Sequence, residues 1–143
     1  MSLKVKITGV NKTINNLDRI DENTRKQLQK AISMATLKCE SLAKQRAPVD
    51  TGRLRSSISS NVGNLEGEVQ ANVDYATYME FGTGSETDFS YINDATVRKQ
   101  AQSFASQYRG KGIRNVNIPG YKYMMTSFLE GKSLLLRMIR NIL

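Results

Sequence analysis

The sequence predicts an α+β domain: an antiparallel sheet of three to four strands packed against a long N-terminal helix and a C-terminal helix. Three observations lead there. Leu3, Val5 and Ile7 alternate with Lys4, Lys6 and Thr8, the period of two expected of a half-buried strand. Between Glu22 and Arg46, apolar residues from Leu28 to Ala43 recur at steps of three and four, which makes one apolar stripe on a helix. Three short runs, Leu54 to Val62, Gly67 to Val73 and Tyr75 to Phe81, then follow with turn residues between them. Successive short strands imply an antiparallel meander.

Taken in order, the first strand closes at Gly9, and Asn11 or Thr13 caps a short helix holding Ile14, Leu17 and Ile20 on one side. The long helix carries Leu28, Ala31, Ile32, Ala35, Cys39, Leu42 and Ala43 inward, with Lys26, Lys30, Lys38 and Lys44 mostly turned away. Pro48 ends it, because the residue before a proline disfavours the helical region. A turn at Val49-Asp50-Thr51-Gly52 launches the meander, and Gly63-Asn64 makes a hairpin of its first two strands. Residues 82–93 read as a loop. Asp94 caps a helix with Val97, Ala101, Phe104, Ala105 and Tyr108 on one face. Tyr108 to Gly120 is a basic, glycine-containing loop, and helical spacing resumes from Tyr121 to Leu143 through Met125, Phe128, Leu129, Leu135, Leu136 and Ile139.

At 143 residues the chain reads as one domain, residues 1–143, long enough to bury its own core. No apolar run approaches the roughly 20 residues of a membrane span. The start MSLKVKITGV lacks the apolar region of a secretory signal, so synthesis and assembly in a cytoplasm are expected. The lone Cys39 cannot form an internal disulfide and reads as a buried, inert thiol. With no histidine in the chain, cysteine–histidine and serine–histidine nucleophiles and histidine-bearing zinc sites are excluded. No cofactor and no metal are expected.

The net charge of +8 is uneven. Residues 1–49 hold ten Lys/Arg against four Asp/Glu, residues 50–95 two against eight, and residues 96–143 nine against one. A basic–acidic–basic chain associates with copies of itself as readily as with nucleic acid.

The chemistry-bearing candidates are few. Asp50, Asp74 and Glu80 are the carboxylates near the glycine turns, but paired-carboxylate hydrolysis needs two of them facing one pocket. Asp50 stands where turn residues stand, and catalysis there is disfavoured. Gly82-Thr83-Gly84 lacks the spacing of a phosphate loop and reads as a turn whose glycines supply positive φ. Arg53 and Arg55 flank Leu54 at the start of an expected strand, so both point to one face. Arg109, Lys111 and Arg114, beside Tyr108, are the best candidates for a nucleic-acid or partner contact, against the plainer reading of a solvated loop. Met124, Met125 and Met138 read as helix packing first and as an adaptable binding surface second.

The segments APVDTGRLRSSI (Ala47 to Ile58) and YATYMEFGTG (Tyr75 to Gly84) resemble the head–tail joining, or tail-completion, family of long-tailed bacteriophages and prophages. In that family a long helix ends in an AP-x-DTG-x-L-x-x-S turn, and a Y-A-x-x-x-E-x-G-T strand end follows. Ala47, Pro48, Asp50, Thr51, Gly52, Leu54 and Ser57 match the first pattern; Tyr75, Ala76, Glu80, Gly82 and Thr83 match the second. Pro119, Tyr123, Met124 and Leu129 look like a degenerate form of the family's closing proline-and-aromatic entry into a C-terminal helix. The resemblance covers most of residues 1–84 and, more loosely, 118–143. Residues 85–117 fit poorly and read as a mobile insertion.

The resemblance implies a non-enzymatic structural protein of a virion, acting at the neck in head–tail joining or tail completion as a ring of copies. Its implied partners are those copies and phage head-connector and tail-terminator proteins; the basic loop near Lys111 adds non-specific contact with DNA, and no membrane is expected. The subunit or partner contacts expected on this reading are Asp50, Thr51, Gly52, Arg53, Arg55, Glu80, Phe81, Gly82 and Thr83. Opposite charges on acidic and basic faces would join copies head to tail. The alternative from another class is a small basic nucleic-acid-binding module, whose DNA affinity would fall steeply with salt.

Overall fold

The computed structural model describes residues 3–7, 21–82, 88–106 and 119–143. Its elements run β1 (Leu3–Ile7), α1 (Glu22–Arg46), α2 (Arg53–Ser57), β2 (Ile58–Gly63), β3 (Glu66–Ala71), α3 (Ala76–Phe81), α4 (Ala95–Ser106) and α5 (Tyr123–Ile142). The fold class is the expected α+β. The sheet has three antiparallel strands in the order β1-β3-β2, with Val5 opposite Val69 and Ile58 opposite Ala71.

The sheet has one covered face. Leu3, Ile58, Val69 and Ala71 are buried and join Cys39 and Ala43 of α1 in the main core. The other face is polar: Lys4 pairs with Glu68 at 3.3 Å and Lys6 with Glu66 at 3.2 Å. Alternation along each strand produces this division. Helix α1 presses so closely on β3 that a Cβ at Gly67 would stand 1.9 Å from the Thr36 hydroxyl.

Helix α1 starts where Asp21 accepts a hydrogen bond from the Thr24 N–H at 2.6 Å. It ends at Arg46, ahead of Pro48, as the apolar stripe and the proline predict. All seven stripe residues are buried. Cys39 sits against Gly131 of α5, where burial pushes its thiol up to about 11. A second cluster, Leu28, Ala31, Ile32 and Ala35 with Leu65 and Leu135, closes the far end of the α1–α5 pair.

The β2–β3 hairpin forms at Asn64-Leu65, where Gly63 pairs with Glu66. Leu65 takes the left-handed conformation, φ 56°. That costs a non-glycine residue about 1–2 kcal/mol, and burying a leucine side chain returns about 1.5–3 kcal/mol. The Gln29 amide secures the turn, donating to the Gly63 carbonyl at 2.9 Å and accepting from the Leu65 N–H at 2.6 Å.

Two expected strands are corrected. Arg53–Ser57, read as the start of a strand beginning at Leu54, is a short helix, and strand begins only at Ile58. Arg53 and Arg55 therefore diverge by roughly 200° around a helix instead of sharing a strand face. Tyr75–Phe81, read as the meander's third strand, is helix α3 with its N-cap at Tyr75. Its aromatic content suits a strand, but Tyr75/Met79, Ala76/Glu80 and Thr77/Phe81 are also i,i+4 pairs, and tertiary contacts select the helix. Asp94 caps α4 as expected, accepting from the Thr96 and Val97 N–H groups at 2.9 and 3.1 Å. Within 85–117, residues 88–106 are described, and Phe89, Ile92, Ala101 and Ala105 belong to the main core. The expected short helix over 11–20 lies outside the described residues.

Candidate interaction cleft

Three distant segments converge on one cleft of about 280 Å³, lined by Pro48 to Leu54, Tyr75, Met79 and Tyr121. The first wall is the turn that follows α1. Ala47 and Leu54 are buried and anchor its two ends, while Val49 stands 55% exposed between them. Gly52, φ 79°, takes the left-handed conformation just before α2, which a side chain would strain. The Ser56 N–H donates to the Gly52 carbonyl at 2.9 Å, and the Ser57 hydroxyl donates to the Leu54 carbonyl at 2.7 Å. Ala47, Pro48, Gly52, Leu54 and Ser57 of the matched pattern thus terminate, bend or anchor the chain, while Asp50 and Thr51 line the cleft.

The second wall is α3. Its i,i+4 pairing sends Tyr75 and Met79 to the cleft and Ala76 and Glu80 to the interior. Glu80 is 1% exposed. Its Oε2 accepts from the Met124 N–H at 2.7 Å and its Oε1 from the Met125 N–H at 2.9 Å. The carboxylate therefore caps the N-terminus of α5, where orphan N–H groups and the helix dipole favour an anion. Burial pushes the acid up to about 7, against the pull of those two N–H groups and of Lys122. The Tyr123 hydroxyl donates to the Ala76 carbonyl at 3.2 Å, and burial first, then the Glu80 charge, moves that phenol upward.

The third wall is the segment leading into α5. Pro119 bridges Gly82, and the N–H groups of Tyr121 and Lys122 donate to the Met79 and Glu80 carbonyls at 2.8 and 3.1 Å. Gly120 lies so close to α3 that a Cβ would stand 2.1 Å from the Glu80 carbonyl oxygen. This clasp holds Tyr121, 57% exposed, at the cleft mouth. Lys122 turns the other way, 3.0 Å from Asp88 and 4.6 Å from the Tyr91 ring centroid.

Of the expected contact residues, Asp50, Thr51, Gly52 and Arg53 line the cleft, and Arg55 is exposed beside it. Glu80 and Phe81 are buried, so the Glu80 carboxylate serves α5 from inside rather than facing solvent. Gly82, φ 80°, ends α3. Thr83, and the basic residues Arg109, Lys111 and Arg114, lie outside the described residues. The sequence reading passed over Met79 and Tyr121; an aromatic residue directly after the Pro119-Gly120 pair was the available signal. Asp50 opens to the cleft while Glu80 is sealed beneath α3, so these two carboxylates do not face one pocket. Among the described residues no group of His, Cys, Asp and Glu could hold a metal ion, and no helix is long and apolar enough to cross a membrane.

Neither the curated proteins nor the solved structures include a match to the chain. A family model does match: "Bacteriophage HK97-gp10, putative tail-component", over residues 11–82. The match spans α1, the turn after it, the β2–β3 hairpin and α3, and so takes in two of the three walls of the cleft. The chain belongs to the HK97-gp10-like family of structural bacteriophage tail components.

Proposed function

We propose that the protein works at the phage neck, in head–tail joining or tail completion, as a non-enzymatic ring of identical subunits. The observation that carries this reading is the cleft. Hydrogen bonds lock α3 to the entry of α5, buried Ala47 and Leu54 anchor the family-matched turn beside them, and together they present Val49, Asp50, Arg53 and Tyr121 outward. Such a surface, rigid beneath and mixed apolar and charged above, suits protein recognition. Its occupants on this reading are a neighbouring copy, a head-connector protein or a tail-terminator protein. Assembly takes place in the host cytoplasm and the protein ends in the virion.

Electron microscopy of particles produced without this protein tests the reading. Filled heads beside separate, finished tails are expected. Joined, infectious particles would remove it.

A further inference from the structure

On the side of α1 that faces away from the core, Lys30, Met34, Leu37, Lys38 and Ser41 follow one another at i, i+4, i+7, i+8 and i+11, one continuous stripe. Met34 and Leu37 are 49% and 57% exposed on it. Between this stripe and α5 runs a shallow groove of about 260 Å³, with Met34 on one bank and Met138 and Ile142 on the other. Arg137 stands one turn before the groove residue Asn141. The cationic rim is unopposed: α1 has no carboxylate between Glu22 and Glu40, and α5 none after Glu130. Among the described residues, Lys30, Lys38 and Arg137 enter no salt bridge, whereas Lys26, Lys44, Arg46 and Lys132 each do.

We propose that this α1–α5 face docks an acidic amphipathic helix of a partner protein, its apolar side on Met34 and Met138 and its carboxylates against Lys30, Lys38 and Arg137. A groove between two adjacent helices accepts a third by ridge-into-groove packing. Flexible thioethers adapt to the incoming side chains. Charge complementarity selects the occupant. The described helices of a second copy do not supply it, because their carboxylates are few and scattered: Glu22, Glu40 and Glu130 lie in ion pairs and Glu80 is buried. Nucleic acid fits the cations but leaves the exposed methionine and leucine without a partner. The proposal does not rest on the ring reading, since this face lies apart from the cleft.

The probe is a designed amphipathic peptide with leucines on one helical face and glutamates beside them, titrated into the isotopically labelled full chain and followed by NMR. Shifts centred on Lys30, Met34, Lys38 and Met138, and affinity that falls with added salt, are expected. Two charge reversals at exposed positions, Lys30→Glu with Arg137→Glu, should weaken binding by at least about ten-fold while the unfolding curve stays in place. Absence of shifts at these residues at about 1 mM peptide would overturn the proposal. So would equal binding of a lysine-flanked peptide, or tighter binding of short duplex DNA at the same residues. Concentration-dependent self-association abolished by Met34→Glu would also overturn it, in favour of a copy of the chain.

Discussion

At Glu80, burial and hydrogen bonding act against each other, and burial wins. The folded-state value of about 7 lies above the 4.5 of an exposed glutamate. The folded protein therefore holds this proton more tightly than the unfolded chain does. The stability so conferred is complete below the unfolded value and is lost as pH rises through about 7. Unfolding free energy from this one group should fall by on the order of 3 kcal/mol between acid and alkaline limits. Urea unfolding across that pH range checks it: Glu80→Gln should flatten the profile, and a variant profile parallel to the native one would contradict the assignment. Gly131 gives a second residue-scale test. Alanine there gains about 1 kcal/mol of helix propensity, but its Cβ would stand 2.0 Å from the Cys39 sulfur. Overpacking costs about 1–3 kcal/mol, so Gly131→Ala should destabilise. Adding Cys39→Ala removes the obstructing sulfur and should recover part of that loss, a coupling that a double-mutant cycle reads directly.

Among the elements, those governed by local rules were legible in the sequence. Helix α1 followed from seven apolar residues in one stripe and a terminating proline. The cap of α4 followed from Asp94, whose replacement by alanine should cost about 1 kcal/mol in chemical denaturation. Helix α3 was not legible. Tyr-Ala-Thr-Tyr-Met-Glu-Phe has an aromatic content that favours a strand, yet its i,i+4 pairs suit a helix equally. What decides the matter is Glu80 meeting the first N–H groups of α5, a contact between residues far apart in the chain. The cleft shows the same division. Its turn was readable from Pro48, Asp50 and Gly52, whereas Met79 and Tyr121 join it only through the clasp of 119–122 on α3. That clasp should be intolerant of a side chain at Gly120. Gly120→Ala should cost about 2–3 kcal/mol, with α5 losing hydrogen-exchange protection at its first turn before the rest of the helix.

Across the whole molecule, polar and charged groups are divided between two tasks. Inside, the matched motif residues hold the helices to one another: Glu80 caps α5, Ala76 receives Tyr123, and Leu54 anchors the turn. Outside, the same segments leave Val49, Asp50, Arg53 and Tyr121 facing outward. Much of the family's patterns is thus accounted for by folding, and the cleft is the surface that folding displays. The net charge of +8 is concentrated in the same way. Carboxylates are largely absorbed into ion pairs, caps and the Glu80 site, which leaves the outer faces of α1 and α5 basic. The most direct test of the cleft is complementation of a phage lacking this protein with a Val49→Asp, Tyr121→Ser double variant. Both positions are exposed, so the variant should unfold at the native midpoint. Filled heads and unattached tails should accumulate all the same. Infectious particles at the native titre, made by that folded variant, would contradict the assignment of the cleft as the contact surface.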